Sequence, residues 1–151
     1  HCSQLKGKLM SLLKMSANEI MSLLNKTFPQ QAKFFEIDEL TVESLIVRHK
    51  IDESHLRPGG TISGPTMFSL ADISLYILTM SRIGPALLAV TTNCSMDFMR
   101  KPKAGLDLLA KTRLLKLGKN LCEGDVLIFS EGLEKPVARA SMTYSIPPKL
   151  S

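Results

Sequence analysis

The pattern of apolar and polar positions predicts a short amphipathic helix near the start of the chain. Ile20, Leu23 and Leu24 recur at the spacing of one helix face. SANE at 16–19 has the form of a capping box, with Ser at the N-cap position and Glu three residues later. Pro29 interrupts the apolar repeat, so we expect the helix to end just before it.

Six further segments have the composition or the alternation of β-strands. Two precede residue 52 and four follow residue 86, and they cover residues 32–41, 43–51, 87–99, 106–118, 121–132 and 136–146. Gly105, Gly118 and Gly132 separate the last four segments at spacings that are typical of an antiparallel meander. The sequence therefore predicts two strands, an intervening segment and a four-stranded meander.

The intervening segment contains GPTMFSLADISLYILTMS, residues 64–81, which is apolar on nearly every side and has a single charged residue, Asp72. Its length approaches the roughly 20 residues of a membrane span, but a carboxylate at mid-span is costly in lipid. We therefore predict a helix buried in protein, which begins near Pro65 and ends before Gly84. A curved antiparallel sheet wrapped around the helix would enclose it, which makes α+β the predicted class.

The length of 151 residues indicates one domain, which we assign to residues 16–148. Residues 1–15 are predicted to form an N-terminal extension, in part foreign to the natural sequence, because methionines at positions 10, 15 and 21 offer later starts. The first ten residues lack the apolar run of a signal peptide. The exposed edges of the predicted sheet would favour pairing of the domain with a second copy.

Composition and charge narrow the classes of partner. The net charge of +5 permits an anionic ligand. Nucleic acid is disfavoured because the basic residues are scattered and only 5% of all residues are aromatic. A membrane partner is not expected either.

The three cysteines are too scattered for a disulfide framework, which favours reduced thiols and a cytoplasmic location. No spacing of cysteine and histidine matches a zinc site, so neither a metal nor another cofactor is expected.

The carboxylate of Asp72 has two interpretations when the residues alone are considered. An unpaired carboxylate is expensive to bury, so the group must be hydrogen-bonded, paired or partly hydrated. It is either a structural carboxylate, bonded to nearby backbone or lining a seam between subunits, or a general base held in an apolar cleft. Both interpretations stay open at this point.

Two motifs carry a resemblance to a known family. GTISGPTMFSLADIS at 60–74 is similar to a helix-opening signature that ends in Leu-Ala-Asp, and TTNCSMDFMRKP at 91–102 is similar to a strand motif of the same family. Together with the spacing to the closing strands, they resemble the hot-dog fold acyl-CoA thioesterases of the phenylacetate-pathway (PaaI-like) type over about residues 30–146. The resemblance implies a curved antiparallel sheet around one long central helix. It also implies a homodimer, often paired into a tetramer, with active sites at the dimer interface.

The resemblance also implies roles for individual residues in the hydrolysis of an acyl-CoA thioester to free acid and CoA without a metal. Asp72 falls on the family's catalytic carboxylate, which acts as general base or as nucleophile. Gly64 falls on the glycine whose backbone N–H polarises the thioester carbonyl. We expect further residues to contact the substrate: Ser63, Arg57, Thr61, Asn93, Arg100 and Lys101.

This chain departs from the family pattern at two places. The family usually has His-Gly-Gly where this sequence has Ser63, Gly64 and Pro65, and many members have an Asn near the position of Arg57 and Pro58. An alternative function is therefore a hot-dog protein that binds acyl-CoA without hydrolysing it. A hydratase or dehydratase of the same fold is disfavoured, because that chemistry usually needs a histidine beside the carboxylate and the predicted helix has none.

Overall fold

The computed structural model describes residues 12–86 and 88–148. The helices are α1 (Ala17–Thr27), α2 (Pro29–Ala32) and α3 (Gly64–Ile83), with a 3-10 turn at Glu53–His55. The strands are β1 (Phe35–Leu40), β2 (Leu45–His49), β3 (Val90–Phe98), β4 (Leu108–Leu117), β5 (Leu121–Ser130) and β6 (Ala138–Ser145). Every helix and strand predicted from the sequence is present.

The strands form one six-stranded antiparallel sheet in the order β1-β2-β4-β5-β6-β3. The long helix α3 packs against β2, β4, β5 and β6, so the curved sheet encloses it. This arrangement confirms the predicted α+β class and its central helix.

The prediction of a four-stranded meander is wrong in one respect. Strands β4, β5 and β6 form a meander, but β3 pairs with β6 at the far edge of the sheet, and β4 pairs with β2. The reason is that the chain passes through α3 after β2 and therefore crosses the sheet before β3 begins. As a result, β3 is an edge strand close to the middle of α3.

The inner face of the sheet closes tightly on α3. Leu70 and Leu75 are fully buried, and a Cβ at Gly124 of β5 would lie 2.6 Å from Cδ1 of Leu75. The buried hydroxyls of Ser74 and Thr79 donate to carbonyls one turn earlier in α3, so they carry no unmet hydrogen bond. Within the two described ranges, no helix combines the length and hydropathy that a membrane span requires.

Helix α1 begins as the sequence predicts. Ser16 Oγ accepts a hydrogen bond from the Glu19 N–H at 3.1 Å, and Glu19 Oε1 accepts one from the Ser16 N–H at 3.1 Å. Pro29 does more than end α1, because it occupies the first turn of α2. Residues 1–11 of the predicted extension lie outside the described residues, whereas Met15 packs in the core with 7% of its surface exposed.

Candidate active site

The Asp72 carboxylate lies halfway along α3 and is hydrogen-bonded rather than isolated. Its Oδ1 accepts from the hydroxyl of Thr91 on β3 and from the hydroxyl of Tyr144 on β6, the latter at 2.7 Å. Burial, and after it the negative charge of Asp72, raises the pKa of Tyr144, so the phenol stays protonated and remains a donor. Two strands at one edge of the sheet therefore fix the orientation of the carboxylate.

The second carboxylate oxygen of Asp72 is available to a ligand. Both hydroxyl donors reach Oδ1, and no side chain in the described part of the molecule donates to Oδ2. Asp72 is half-buried and lines a cavity of about 340 Å³. The carboxylate is therefore hydrogen-bonded at one oxygen, while the other has no donor among the described residues.

The walls of this cavity, which we call the Asp72 cavity, are mainly apolar. Helices α1 and α2 contribute Leu24 and Phe28, β1 contributes Phe35, and α3 contributes Ile73 and Tyr76. The segment that leads into β3 closes the remaining side.

The N-terminus of α3 has one backbone donor without a partner among the described residues. Ser63 is the N-cap residue, and its Oγ accepts from the Thr66 N–H at 3.2 Å, while its carbonyl accepts from the Met67 N–H at 3.3 Å. Pro65 has no N–H. The Gly64 N–H is therefore the donor that the first turn leaves for a ligand.

The loop before α3 is shaped by two glycines with positive φ. Gly59 has φ of 100° and Gly60 has φ of 82°, which glycine adopts without strain. The turn is closed by a hydrogen bond from the Arg57 N–H to the Thr61 carbonyl at 2.8 Å. This conformation brings Arg57 back to the start of α3.

Five of the predicted site residues line one common cavity of about 470 Å³, which we call the Gly64 cavity: Gly64, Arg57, Thr61, Arg100 and Lys101. Its lining contains three cations and no carboxylate. Arg100 donates to the carbonyl of Pro136 at 2.7 Å, whereas Arg57 and Lys101 form no ion pair within the described ranges. The cavity is therefore suited to an anionic ligand.

Ser63 lies in a different cavity, of about 330 Å³, beside two histidines. Burial lowers the pKa of His49 to about 4, and its Nδ1 donates to the Lys50 carbonyl at 2.8 Å, so the ring is neutral at physiological pH. His55 Nδ1 accepts from the Asp52 N–H at 2.9 Å. Ser63 thus acts in the structure as a helix cap, next to the imidazoles of His49 and His55.

The remaining predicted contact, Asn93, lies apart from these cavities. It is exposed on edge strand β3, opposite Thr143 of β6 and beside a shift in the register of the two strands. Its place on an open edge makes it accessible to another chain rather than to the interior of this one.

Asp72 and Gly64 are also separated within one chain. They lie eight residues apart on the same helix, which corresponds to about 12 Å along its axis. They line separate cavities. A single chain therefore does not bring the carboxylate and the backbone donor to one reacting carbonyl.

Sequence reasoning missed the two hydroxyl partners of Asp72. Thr91 stands inside the quoted strand motif, and Tyr144 is one of only two tyrosines in the chain, yet neither position signals contact with α3. The contact arises because β3 and β6 are neighbours in the sheet, which their order along the chain does not reveal.

In the described part of the chain, no group of three His, Cys, Asp or Glu residues is arranged to hold a metal ion.

Comparison with known proteins agrees with this architecture. A match to the thioesterase superfamily spans residues 59–137. A candidate thioesterase from a Silicibacter species, known from its crystal structure, is 54% identical with a TM-score of 0.84, and the similarity covers 90% of this chain and 94% of that one. Mouse acyl-coenzyme A thioesterase 13 is 26% identical, covering 89% of this chain and 96% of that protein. A variant of the phenylacetic acid degradation protein PaaI from Thermus thermophilus is 27% identical with a TM-score of 0.67, covering 79% of this chain and 99% of that chain.

The fold and these similarities define a hot-dog protein of the thioester-hydrolysing class. The chain belongs to the thioesterase superfamily. Both the resemblance to PaaI-like hot-dog thioesterases and the predicted enzyme class are thereby confirmed.

Proposed function

We propose that this protein hydrolyses acyl-CoA thioesters to a free acid and CoA, with Asp72 as the catalytic carboxylate. The observation that carries the proposal is the carboxylate itself, which two hydroxyl donors hold at Oδ1 and which leaves Oδ2 free beside an apolar cavity. No cation among the described residues forms an ion pair with Asp72, so the protein leaves the charge of the carboxylate without a counterion.

The carboxylate would act in one of two ways. As general base, Oδ2 takes a proton from water while the water oxygen bonds to the thioester carbon, and the C–S bond then breaks to release the CoA thiolate. As nucleophile, Oδ2 bonds to the same carbon and expels the thiolate, and water then hydrolyses the resulting anhydride. In both routes the negative charge that develops on the carbonyl oxygen needs a hydrogen-bond donor, and the Gly64 N–H is the donor that we assign to it.

The active site would be completed by a second copy of the chain. Asp72 and Gly64 line separate cavities in one chain, while edge strand β3 exposes nine residues of backbone beside both. Val90 and Phe98 at its two ends are exposed apolar residues, which favours burial against another subunit. We therefore propose a homodimer in which the Gly64 cavity of one protomer faces Asp72 of its partner.

We also propose that the protein forms a tetramer and that it is located in the cytoplasm. Pairing of two dimers into a tetramer is expected from the family resemblance. Cys94 and Cys122 are free thiols, which supports a reducing compartment such as the cytoplasm.

The Gly64 cavity would bind the phosphates of CoA. Three cations with no carboxylate line it, and the CoA portion of the substrate is strongly anionic, so attraction and hydrogen bonding both favour its binding there. Ser63 would support this site as the cap that fixes the first turn of α3. Thr61 and Asn93 are the remaining proposed contacts of the substrate.

Replacing both Arg57 and Lys101 with Gln is expected to raise KM for acyl-CoA by roughly tenfold while kcat changes little, because the two charges act on binding. The measurement is a kinetic comparison of acyl-CoA with the same acyl group on N-acetylcysteamine, which lacks the CoA phosphates. The matched control is the double substitution of Lys116 and Lys119, which removes two charges outside this cavity. An equal rise in KM for both thioesters would contradict phosphate binding at the Gly64 cavity.

The proposed function is tested by the release of free thiol from short, medium, long and aryl acyl-CoAs. Turnover of at least one substrate supports hydrolysis. The alternative, a hot-dog protein that binds acyl-CoA without cleaving it, predicts saturable binding with no thiol release from any member of the panel.

A further inference from the structure

The cavity that contains Ser63 and the two histidines, which we call the His55 cavity, adjoins the Asp72 cavity. Gln31 and Phe35 line both of them. Gln31 belongs to α2 and Phe35 begins β1, so one short stretch of chain forms a wall that the two cavities share. A ligand in the Asp72 cavity therefore meets the His55 cavity at this wall.

Helix α3 lines both cavities with a single face. Pro65 and Ser69 line the His55 cavity, and Asp72 and Tyr76 line the Asp72 cavity. These positions follow one another at intervals of four, three and four residues, which is the spacing of one helix face. Ser69 precedes Asp72 by a rise of about 4.5 Å along the helix axis. The two cavities are thus successive parts of one groove along α3.

The two parts of the groove differ in chemistry. The walls of the Asp72 cavity are mainly apolar. The His55 cavity is lined by one amide, two imidazoles and four hydroxyls, which belong to Gln31, His49, His55, Ser54, Ser63, Thr66 and Ser69. No lysine, arginine, aspartate or glutamate lines it. A chain that extends along the groove from Asp72 therefore passes hydrocarbon first and uncharged polar groups afterwards.

Two of these polar groups are open to a ligand. Gln31 and Ser69 are both exposed, so the amide and the hydroxyl are accessible from outside the core. His55 forms a fixed part of the wall, because its ring packs edge-on against Phe34 with 4.6 Å between centroids and its Nδ1 accepts from the Asp52 N–H. Amide and hydroxyl groups both donate and accept hydrogen bonds, so they pair with a ligand group that does the same.

We propose that the His55 cavity is a polar subsite for the far end of the acyl group, so that the preferred substrate is an acyl-CoA whose apolar chain carries a hydroxyl or an amide several carbons beyond the thioester. This inference rests on the proposed function, because it assigns the Asp72 cavity to the acyl group. The CoA portion is not the occupant, since its phosphates are assigned to the Gly64 cavity of the partner subunit. A plain hydrocarbon chain is disfavoured here, because it displaces water from Gln31 and Ser69 without replacing the hydrogen bonds.

The test uses medium-chain acyl-CoAs that carry one hydroxyl or one carboxamide at successive carbons, each compared with the unsubstituted chain. For the wild type we expect kcat/KM to favour at least one polar substrate by about fivefold or more, the effect of about one net hydrogen bond. Gln31→Leu and Ser69→Ala are each expected to reduce that ratio to about twofold or less. The same ratios are measured as dissociation constants of S-alkyl thioether analogues, which do not undergo hydrolysis.

Matched controls are available on the same two helical segments that precede β1. Gln30→Leu in α2 and Ser22→Ala in α1 make the same chemical changes at exposed positions that line neither cavity. Both are expected to keep the preference of the wild type. All four variants should melt close to the wild-type temperature, because substitutions at exposed positions change stability little.

The binding measurements separate this inference from the proposed hydrolysis. A preference for a polar analogue that Gln31→Leu or Ser69→Ala removes supports the inference even if no thioester is cleaved, in which case only the proposed hydrolysis fails. Two results overturn the inference: equal binding of polar and unsubstituted analogues by the wild type, or a preference that persists in both Gln31→Leu and Ser69→Ala.

Discussion

Asp72→Asn is expected to lower the kcat for thiol release from acyl-CoA by 10²-fold or more, in the range that general-base and nucleophilic groups commonly supply. The amide has nearly the shape of the carboxylate, and its oxygen still accepts hydrogen bonds from Thr91 and Tyr144. It accepts no proton from water and does not attack a thioester. The measurement is steady-state thiol release with the best substrate of the panel.

The control for this variant is Asp125→Asn. Asp125 lies on β5, away from β3 and from the Asp72 and Gly64 cavities, and pairs with the exposed Arg113 at 2.7 Å, in a surface pair of the kind that contributes little to stability. The two variants carry the same chemical change and differ in the surroundings of the carboxylate. If Asp72→Asn retained the wild-type rate with an unchanged melting temperature, Asp72 would have no part in the chemistry.

Gly64→Pro is expected to lower kcat by 10²- to 10³-fold, the usual effect of removing one donor to a developing oxyanion. Proline removes the N–H and puts its ring carbon Cδ in the place of the amide hydrogen, while its fixed φ suits the first helical position. Ser63 already has ψ of 152°, the extended conformation that a residue before proline requires. The measurement is kcat and KM on the same substrate as for Asp72→Asn.

Gly64→Ala is the matched control for this substitution. Alanine retains the N–H and adds a Cβ whose nearest neighbour, the ring of Phe98, lies 3.6 Å away at an ordinary contact distance. Both variants place a Cβ before Pro65, so their difference reports the loss of the N–H together with the proline ring carbons that replace it. Equal losses of kcat in the two variants would show that space at position 64, rather than its donor, matters to the reaction.

Much of the fold could be predicted because its signals are local. The capping box at Ser16 and the glycine that follows α3 at position 84 set helix ends within a few residues of the observed ones. The single charge within an apolar segment drew attention to Asp72 without any knowledge of the sheet, and the family resemblance then supplied its predicted role. These features depend on neighbours within one or two helical turns.

The remainder could not be predicted because it depends on strand order. Strand β3 pairs with β6 and not with β4. This pairing brings the hydroxyls of Thr91 and Tyr144 to the same oxygen of Asp72. Arg57 reaches Arg100 and Lys101 only because a loop with two glycines at positive φ turns it back towards α3. Contacts between residues that lie far apart in sequence can be predicted only when the order of the strands in the sheet is known. The spacing of motifs along the chain does not reveal that order.

The central claim is that one active site is formed by Asp72 of one protomer and Gly64 of its partner. Its most direct test is to mix Asp72→Asn and Gly64→Pro subunits by co-expression, and to measure thiol release by the purified mixture. If the site is shared, a mixed dimer has one site with both substitutions and one with neither, so equal mixing should restore about a quarter of the wild-type activity from two inactive parents. If the mixture stays as inactive as the parents although mixed dimers are present, each site lies within one chain and the shared site is contradicted.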